Sequence, residues 1–220
     1  MNLVTTPGHR KDHTRVYTLP GLLLALLLGL SLTAQAGPRL LVMGDSLSAA
    51  HGMESSSGWV ALLAERLQHD WPQAEVTNGS ISGETTAGGL SRLPKLLQQA
   101  QPQLVVLELG ANDGLRGYPL REMRNNLRRV IELSRDAGAE VLLLGMQIPP
   151  NYGPRYSNQF QQTYTQLSDE LDVPLVPFFL DGVAGIPDLN QADGIHPTAP
   201  AQPKLLDNVW PYVAEWLEGM

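Results

Sequence analysis

The chain has 220 residues, with 22 acidic and 15 basic side chains and a formal charge of −7 at neutral pH. A chain of this length usually forms one domain. Its negative charge argues against nucleic acid as a partner and against tight adhesion to anionic membranes, because both need a basic surface. The absence of cysteine excludes a thiol nucleophile and a cysteine zinc site.

The first 36 residues have the pattern of a secretory signal peptide. Three basic residues precede an uncharged apolar block over residues 21–30, and Ala34-Gln35-Ala36 forms a small-x-small cleavage site. A membrane anchor is the alternative, but the block is shorter than the ~20 residues that a membrane span needs. We predict cleavage after Ala36 and a mature domain over residues 37–220, periplasmic or secreted and without stable membrane insertion. Losing three basic residues and one acidic residue takes the charge from −7 to −9.

Apolar runs alternate with segments of helical spacing along the rest of the chain. The predicted strands are residues 40–43, 75–77, 104–109, 141–144 and 175–176. The predicted helices are residues 59–67, 90–97, 120–136, 160–171 and 205–217. This alternation, with strands that are apolar on both faces, is typical of an α/β fold whose mostly parallel sheet is covered by helices on both sides.

Four polar or small residues follow four of these strands. Ser46 follows the first strand, Gly83 the second, Asn112 the third and His196 the fifth. In a doubly wound sheet of flavodoxin-like order, ligands bind beyond the carboxyl ends of the strands, where the first and third strands lie side by side. We therefore expect these four residues to meet at one edge of the sheet.

The same residue types are those that acyl transfer by a serine needs. A serine hydroxyl is a poor nucleophile until a neighbouring base takes its proton. His196 is the preferred base for Ser46, with Asp193 three residues earlier to fix its tautomer. His51 is a weaker alternative base. Taken singly, a serine after a strand is more often a helix cap, and His196 with Asp193 could be a surface loop.

A tetrahedral intermediate carries negative charge on its oxygen and needs hydrogen-bond donors. We predict that the side-chain amide of Asn112 and the backbone N–H groups of Gly83 and Ser46 supply them. Glu108 has no predicted function. If its place in the third strand buries it, its carboxyl group should be hydrogen-bonded or protonated.

These blocks resemble the GDSL, or SGNH, hydrolase family, which is named for Ser, Gly, Asn and His in four sequence blocks. The matching segments are Gly44–Ser48, Gly83, Gly110–Asp113 and Asp193–His196. Residues 80–86, 107–117, 148–153 and 193–197 are also similar to the multifunctional periplasmic thioesterase, lysophospholipase and arylesterase group of Gram-negative bacteria. The Gly-x-Ser-x-Gly motif of α/β-hydrolases is absent.

The resemblance implies a flavodoxin-like three-layer α/β/α sandwich with a five-stranded parallel sheet. It also implies an exported esterase and thioesterase that hydrolyses small acyl esters and thioesters through an acyl-serine, with no metal or cofactor. We expect a monomer. In the family, a loop that matches residues 146–156 moves over the acyl chain. The residues expected to contact that chain are Met53, Leu115, Ile148, Pro150 and Tyr152.

Three other functions remain open at this point. The first is an O-deacetylase that acts on carbohydrate or peptidoglycan with the same residues. The second is a non-catalytic acyl-binding protein. The third is a metal-dependent hydrolase that uses Asp193 and His196 as ligands.

Overall fold

Five parallel strands form the centre of the fold. They are β1 (Arg39–Gly44), β2 (Glu75–Asn78), β3 (Leu104–Glu108), β4 (Glu140–Leu144) and β5 (Leu175–Val176). Their order across the sheet is β2-β1-β3-β4-β5, and each neighbouring pair is parallel. The predicted sheet is therefore confirmed. The computed structural model describes residues 1–3 and 37–220, so the predicted signal peptide lies almost wholly outside the described residues and stays a prediction.

Apart from Arg39 and Glu108, the neighbouring strands β1 and β3 carry no charged residue, because helices cover both faces of the sheet. Every residue of β3 is buried, as are Leu40 to Gly44 of β1. The register pairs Leu41 with Val105 and Gly44 with Glu108. The carboxyl ends of these two strands therefore lie side by side.

Within the described residues, six α-helices connect or follow the strands. They are α1 (Trp59–Asp70), α2 (Thr86–Ala100), α3 (Ala111–Leu115), α4 (Leu120–Asp136), α5 (Pro154–Leu171) and α6 (Gln202–Glu218). Right-handed crossovers place α1 on one face of the sheet and α2, α4 and α5 on the other. Accordingly α1 packs against α6, while α4 packs against both α2 and α5. This is the predicted three-layer arrangement.

The helices differ from their predicted bounds at their ends. Helix α5 begins at Pro154 rather than at residue 160, because proline is favoured in the first turn of a helix. Helix α2 begins at Thr86, where the side chain of Thr85 accepts a hydrogen bond from the backbone of Gly88. The sequence did not predict α3, because five residues are too few to show a hydrophobic period.

The fold forms a crevice at the carboxyl ends of β1 and β3, where the connections leave toward opposite edges of the sheet. The connection after β1 leads to β2 on one side, whereas the connection after β3 leads to β4 on the other. Ligands bind in open α/β sheets at such a point, beyond the carboxyl ends of the strands. Within residues 37–220, no helix has both the length and the hydropathy to cross a bilayer.

Candidate active site

Three polar side chains form a continuous hydrogen-bonded row at the carboxyl edge of the sheet. Oγ of Ser46 lies 2.9 Å from Nε2 of His196, although the two residues are 150 positions apart in the chain. Nδ1 of His196 lies 2.7 Å from Oδ2 of Asp193. Since Asp193 accepts the Nδ1 proton, Nε2 of a neutral His196 is the nitrogen that can take the proton of Ser46.

The turn that presents Ser46 is held by the buried carboxylate of Asp45. Oδ1 of Asp45 accepts from the backbone N–H of Leu47 at 3.0 Å, and Oδ2 accepts from Nδ2 of Asn112 at 2.9 Å. Burial raises the pKa of Asp45 from 3.8 to about 6, although both hydrogen bonds act in the opposite direction. Ser46 itself is only partly buried, so its hydroxyl faces the crevice.

Asp193, the carboxylate that is hydrogen-bonded to His196, is far more exposed than Asp45. Oδ1 of Asp193 accepts from the backbone N–H groups of Ile195, at 2.9 Å, and His196, at 3.0 Å. The hydrogen bond from the His196 backbone, followed by that from its imidazole, holds the pKa of Asp193 well below its ordinary value. Asp193 is therefore a carboxylate at neutral pH, able to orient His196.

Of the predicted oxyanion donors, Asn112 lines the same cavity as Ser46, whereas Gly83 is not among the described residues that line it. Asn112 is the second residue of α3, and Nδ2 uses one of its two protons on Asp45. Among the described residues, the backbone N–H groups of Ser46 and Gly83 make no hydrogen bond. Gly110, just before α3, has a φ of +115°, and a Cβ there would lie 2.3 Å from the hydroxyl of Tyr164. Glycine at this position therefore allows α3 to begin shortly after β3 in the chain.

The comparisons with known proteins agree with this geometry. The sequence model described as "GDSL-like Lipase/Acylhydrolase family" matches residues 42–202. The chain belongs to this family. The predicted family and the predicted enzyme class, a serine hydrolase, are therefore confirmed, and so is the fold.

Relatives of this family member match most of the chain. Esterase TesA of Pseudomonas aeruginosa is 52% identical over 197 residues, which cover 90% of this chain and 96% of the relative. Thioesterase 1/protease 1/lysophospholipase L1 of Escherichia coli K12 is 44% identical over 199 residues, covering 90% of this chain and 89% of the relative. Among solved structures, the psychrotrophic esterase EstA from Pseudoalteromonas sp., inhibited by monoethylphosphonate, matches with a TM-score of 0.77 and 43% identity, covering 81% of this chain and 98% of that chain.

An apolar cavity of about 640 Å³ opens beside the Ser46–His196 pair of this hydrolase. Of the residues predicted to contact an acyl chain, Leu115 and Ile148 line it. Met53 and Tyr152 are not among the described residues that line the cavity, and Tyr152 instead donates from its hydroxyl to the carbonyl of Leu115 at 2.9 Å. The side chain of Pro150 lies outside the described residues.

Part of the cavity lining was not predicted from the sequence. That part follows β5 and consists of Phe178, Leu180 and Ala184, whereas Met146 and Pro149 belong to the loop over residues 146–156 that was expected to cover the acyl chain. Apolar residues at these positions have the same pattern as core residues, so no sequence signal separates the two roles. Gln147 and Asn190 add polar groups at the cavity lining.

The other two histidines of the described residues, His51 and His69, do not join the row. The ring of His51 lies against that of His196, with 4.3 Å between ring centroids, but Ser46 is hydrogen-bonded to His196. His69, next to last in α1, is exposed and pairs with Asp70. Within the part of the chain that the structure describes, no three His, Cys, Asp or Glu side chains are grouped as metal ligands.

Glu108 is fully buried beneath the turn that carries Ser46. Its Oε2 accepts from the backbone N–H of Asp45 at 3.1 Å and from Oγ of Ser48 at 2.8 Å. Its Oε1 has no hydrogen-bond partner among residues 37–220. Burial, assisted by the nearby carboxylate of Asp45, raises the pKa of Glu108 well above 4.5. Two buried carboxyl groups thus share this region, and burial raises the pKa of both.

Proposed function

We propose that the protein is an exported serine esterase and thioesterase that hydrolyses small acyl substrates. Ser46 is the nucleophile, His196 the general base and Asp193 the residue that orients it. The observation that carries the proposal is the continuous row from Oγ of Ser46 through His196 to Asp193, with separations of 2.9 Å and 2.7 Å. Such a row activates a serine without any further group.

Acylation begins when Oγ of Ser46 attacks the acyl carbonyl carbon while Nε2 of His196 takes the hydroxyl proton. The carbonyl electron pair moves to oxygen. The backbone N–H groups of Ser46 and Gly83 and the second Nδ2 proton of Asn112 bind that oxyanion. Asp193 stabilises the imidazolium. Collapse of the intermediate breaks the bond to the leaving alcohol or thiol, which receives the proton from His196.

Deacylation repeats these steps with water. His196 takes a proton from a water molecule as its oxygen attacks the acyl-serine carbonyl, and the same three donors bind the second oxyanion. The collapse returns the proton to Oγ of Ser46 and releases a carboxylic acid. Every proton is carried by His196, so the mechanism needs neither a metal nor a cofactor.

The cavity favours an acyl chain over a carbohydrate. Its lining near Ser46 is mainly apolar, with Leu47, Leu115, Ile148, Phe178 and Leu180 among its residues. Apolar linings with a few polar groups bind apolar ligand segments, whereas a glycan needs many hydrogen-bonding partners. The names of the relatives, an esterase and a thioesterase with lysophospholipase activity, support acyl esters and thioesters as the substrate class.

We propose that the protein is exported and acts in the periplasm or outside the cell. Residues 1–36 carry the basic, apolar and small-x-small pattern of a signal peptide, and removing them leaves an acidic domain over residues 37–220. We propose that this domain acts as a monomer on diffusible substrates, because the row of residues that performs the chemistry comes from one chain.

The proposal is tested with the variant Ser46→Ala. We expect kcat for p-nitrophenyl butyrate and for an acyl-CoA thioester to fall by roughly 10⁴–10⁶-fold, because the remaining donors cannot replace the nucleophile. The variant Ser91→Ala, at an exposed position of α2, is the control and should keep wild-type kcat. Turnover by folded Ser46→Ala at a wild-type rate would contradict the assignment of the nucleophile.

A further inference from the structure

The two loops that supply Ser46 and His196 have few direct connections. The nucleophile loop (residues 45–53) follows β1, and the histidine loop (residues 189–198) follows β5. Residues 192–195 of the histidine loop are exposed, so little buried surface anchors it. Besides the Ser46–His196 contact itself, one hydrogen bond joins the two loops within the described residues, and it comes from the side chain of Gln191.

Gln191 reaches both loops with one amide group. Its Nε2 lies 2.8 Å from the carbonyl oxygen of His51 and 3.1 Å from that of Pro197. Carbonyl oxygens only accept hydrogen bonds, so the NH₂ end of the amide must face them, and both of its protons are then used. The two acceptors flank the reacting groups, because His51 is in the nucleophile loop and Pro197 directly follows His196.

The backbone of Gln191 adds a second connection to the base. Its N–H donates to the carbonyl of His196 at 2.7 Å, and its carbonyl accepts from the N–H of Gly194 at 2.8 Å. The ring of His51, whose carbonyl the side chain holds, lies against the ring of His196. Gln191 therefore contacts the backbone of the base and also the residue that packs on its imidazole.

The nucleophile loop leaves space for this amide at Gly52. A Cβ at residue 52 would lie 2.4 Å from Oε1 of Gln191, which is closer than two non-bonded atoms can approach. Gly52 also has a φ of +73°, a conformation that favours glycine. A side chain at residue 52 would displace the amide from its two carbonyl acceptors.

We propose that Gln191 is a positioning residue that holds the histidine loop on the nucleophile loop and thereby sets the distance between Oγ of Ser46 and Nε2 of His196. The inference rests on the proposed function, in which that distance governs proton transfer. Misplacement of reacting groups by about 1 Å can cost on the order of 10²-fold in rate. Gln191 does not touch the substrate, so its loss should lower kcat and leave KM nearly unchanged.

Two variants test this role. Gln191→Ala removes the amide without adding charge, and Gln191→Glu keeps the length of the side chain but cannot donate to either carbonyl. We expect both to lower kcat for p-nitrophenyl butyrate by about 10–100-fold, with KM within about twofold of wild type. The rate constant for labelling of Ser46 by a fluorophosphonate should fall in parallel, since it reports the nucleophile without substrate turnover.

The matched control is Gln103→Ala. Gln103 is also half-buried and also bonds the backbone of another segment, with Oε1 accepting from the N–H of Arg39 at 3.0 Å, but it lies at the amino end of the sheet. We expect wild-type kcat from this variant. The role of Gln191 is contradicted if both of its variants keep kcat within twofold of wild type, or if Gln103→Ala loses as much kcat as they do.

A double-mutant cycle gives an independent readout. Gly52→Ala should lower kcat in the wild-type background partly by displacing Gln191, and that part should vanish in the Gln191→Ala background. Strictly additive effects on kcat would overturn the proposal. The proposed function is contradicted if Ser46→Ala remains active and is still labelled. If Ser46→Ala is inactive but both Gln191 variants are fully active, only the positioning role of Gln191 is contradicted.

Discussion

At the residue scale, His196 has both ring nitrogens engaged, and each contact has a distinct chemical consequence. The Nδ1 contact with Asp193 fixes the tautomer, while the Nε2 contact with Ser46 prepares proton transfer. Asp193 is exposed and strongly hydrogen-bonded, and it stays ionised, whereas buried Asp45 holds the turn of the nucleophile. The two carboxylates therefore have different roles although both lie near the same imidazole.

Asn112 provides a test of the oxyanion donors. We expect Asn112→Ala to lower kcat by about 10²–10³-fold with little change in KM, because its second Nδ2 proton is used only when charge develops on the carbonyl oxygen. Steady-state kinetics with p-nitrophenyl butyrate measure both constants. Asn158→Ala, at an exposed position of α5, is the control. Unchanged kcat in Asn112→Ala would leave Asn112 as a residue that only fixes Asp45.

The sequence identifies some of these residues and not others, for physical reasons. Asp193 and His196 are three positions apart, so a short loop can bring them together, and Ser46 follows a strand whose burial is evident from its composition. Gln191 carries no such signal. Its importance depends on two carbonyl groups, one of them 140 residues away in the chain, and backbone acceptors look the same at every position.

At the element scale, β3 brings a buried carboxyl group under the nucleophile. Glu108 ends the strand, pairs in register with Gly44 and accepts hydrogen bonds from Asp45 and Ser48. Because burial raises its pKa, Glu108 binds a proton more tightly in the folded chain than in the unfolded chain. The unfolded chain then loses this proton first as the pH rises above 4.5, so the contribution of Glu108 to the free energy of unfolding falls with increasing pH.

The variant Glu108→Gln tests this linkage. It keeps the shape of the neutral acid and cannot ionise, so the free energy of unfolding of wild type relative to Glu108→Gln should decrease as the pH rises from about 4.5 to 7. Urea unfolding at several pH values measures the difference. A difference that is constant over this range, or that increases, would contradict a raised pKa for Glu108.

The strands could be predicted from the sequence where both faces of the sheet are buried. Strands β1, β3 and β4 appear in the sequence as apolar runs, with Glu108 as the charged exception in the predicted third strand, because both faces of the sheet are covered. Helix α3, which carries Asn112, was not predicted. Its five residues are too few to show a hydrophobic period, and its start depends on the positive φ of Gly110. Short elements of this kind depend on tertiary context.

At the scale of the whole molecule, the order of the strands is what brings distant residues together. Because β1 lies beside β3, the loop that carries Ser46 and the helix that carries Asn112 start at neighbouring points. The loop after β5 brings His196 to the same edge of the sheet. This convergence follows from parallel topology and was predictable. The cavity was only partly predicted, because Phe178, Leu180 and Ala184 after β5 are apolar residues that resemble core residues in sequence.

The central claim is that Ser46 becomes covalently acylated, and intact-protein mass spectrometry after treatment with a fluorophosphonate tests it most directly. We predict one phosphonyl adduct per chain, located by peptide mapping on the segment that contains Ser46, and none on Ser46→Ala. Asp193→Asn should be labelled more slowly at the same residue, because its imidazole is poorly oriented. An adduct on another residue, or an active wild-type protein that is never labelled, would contradict the account.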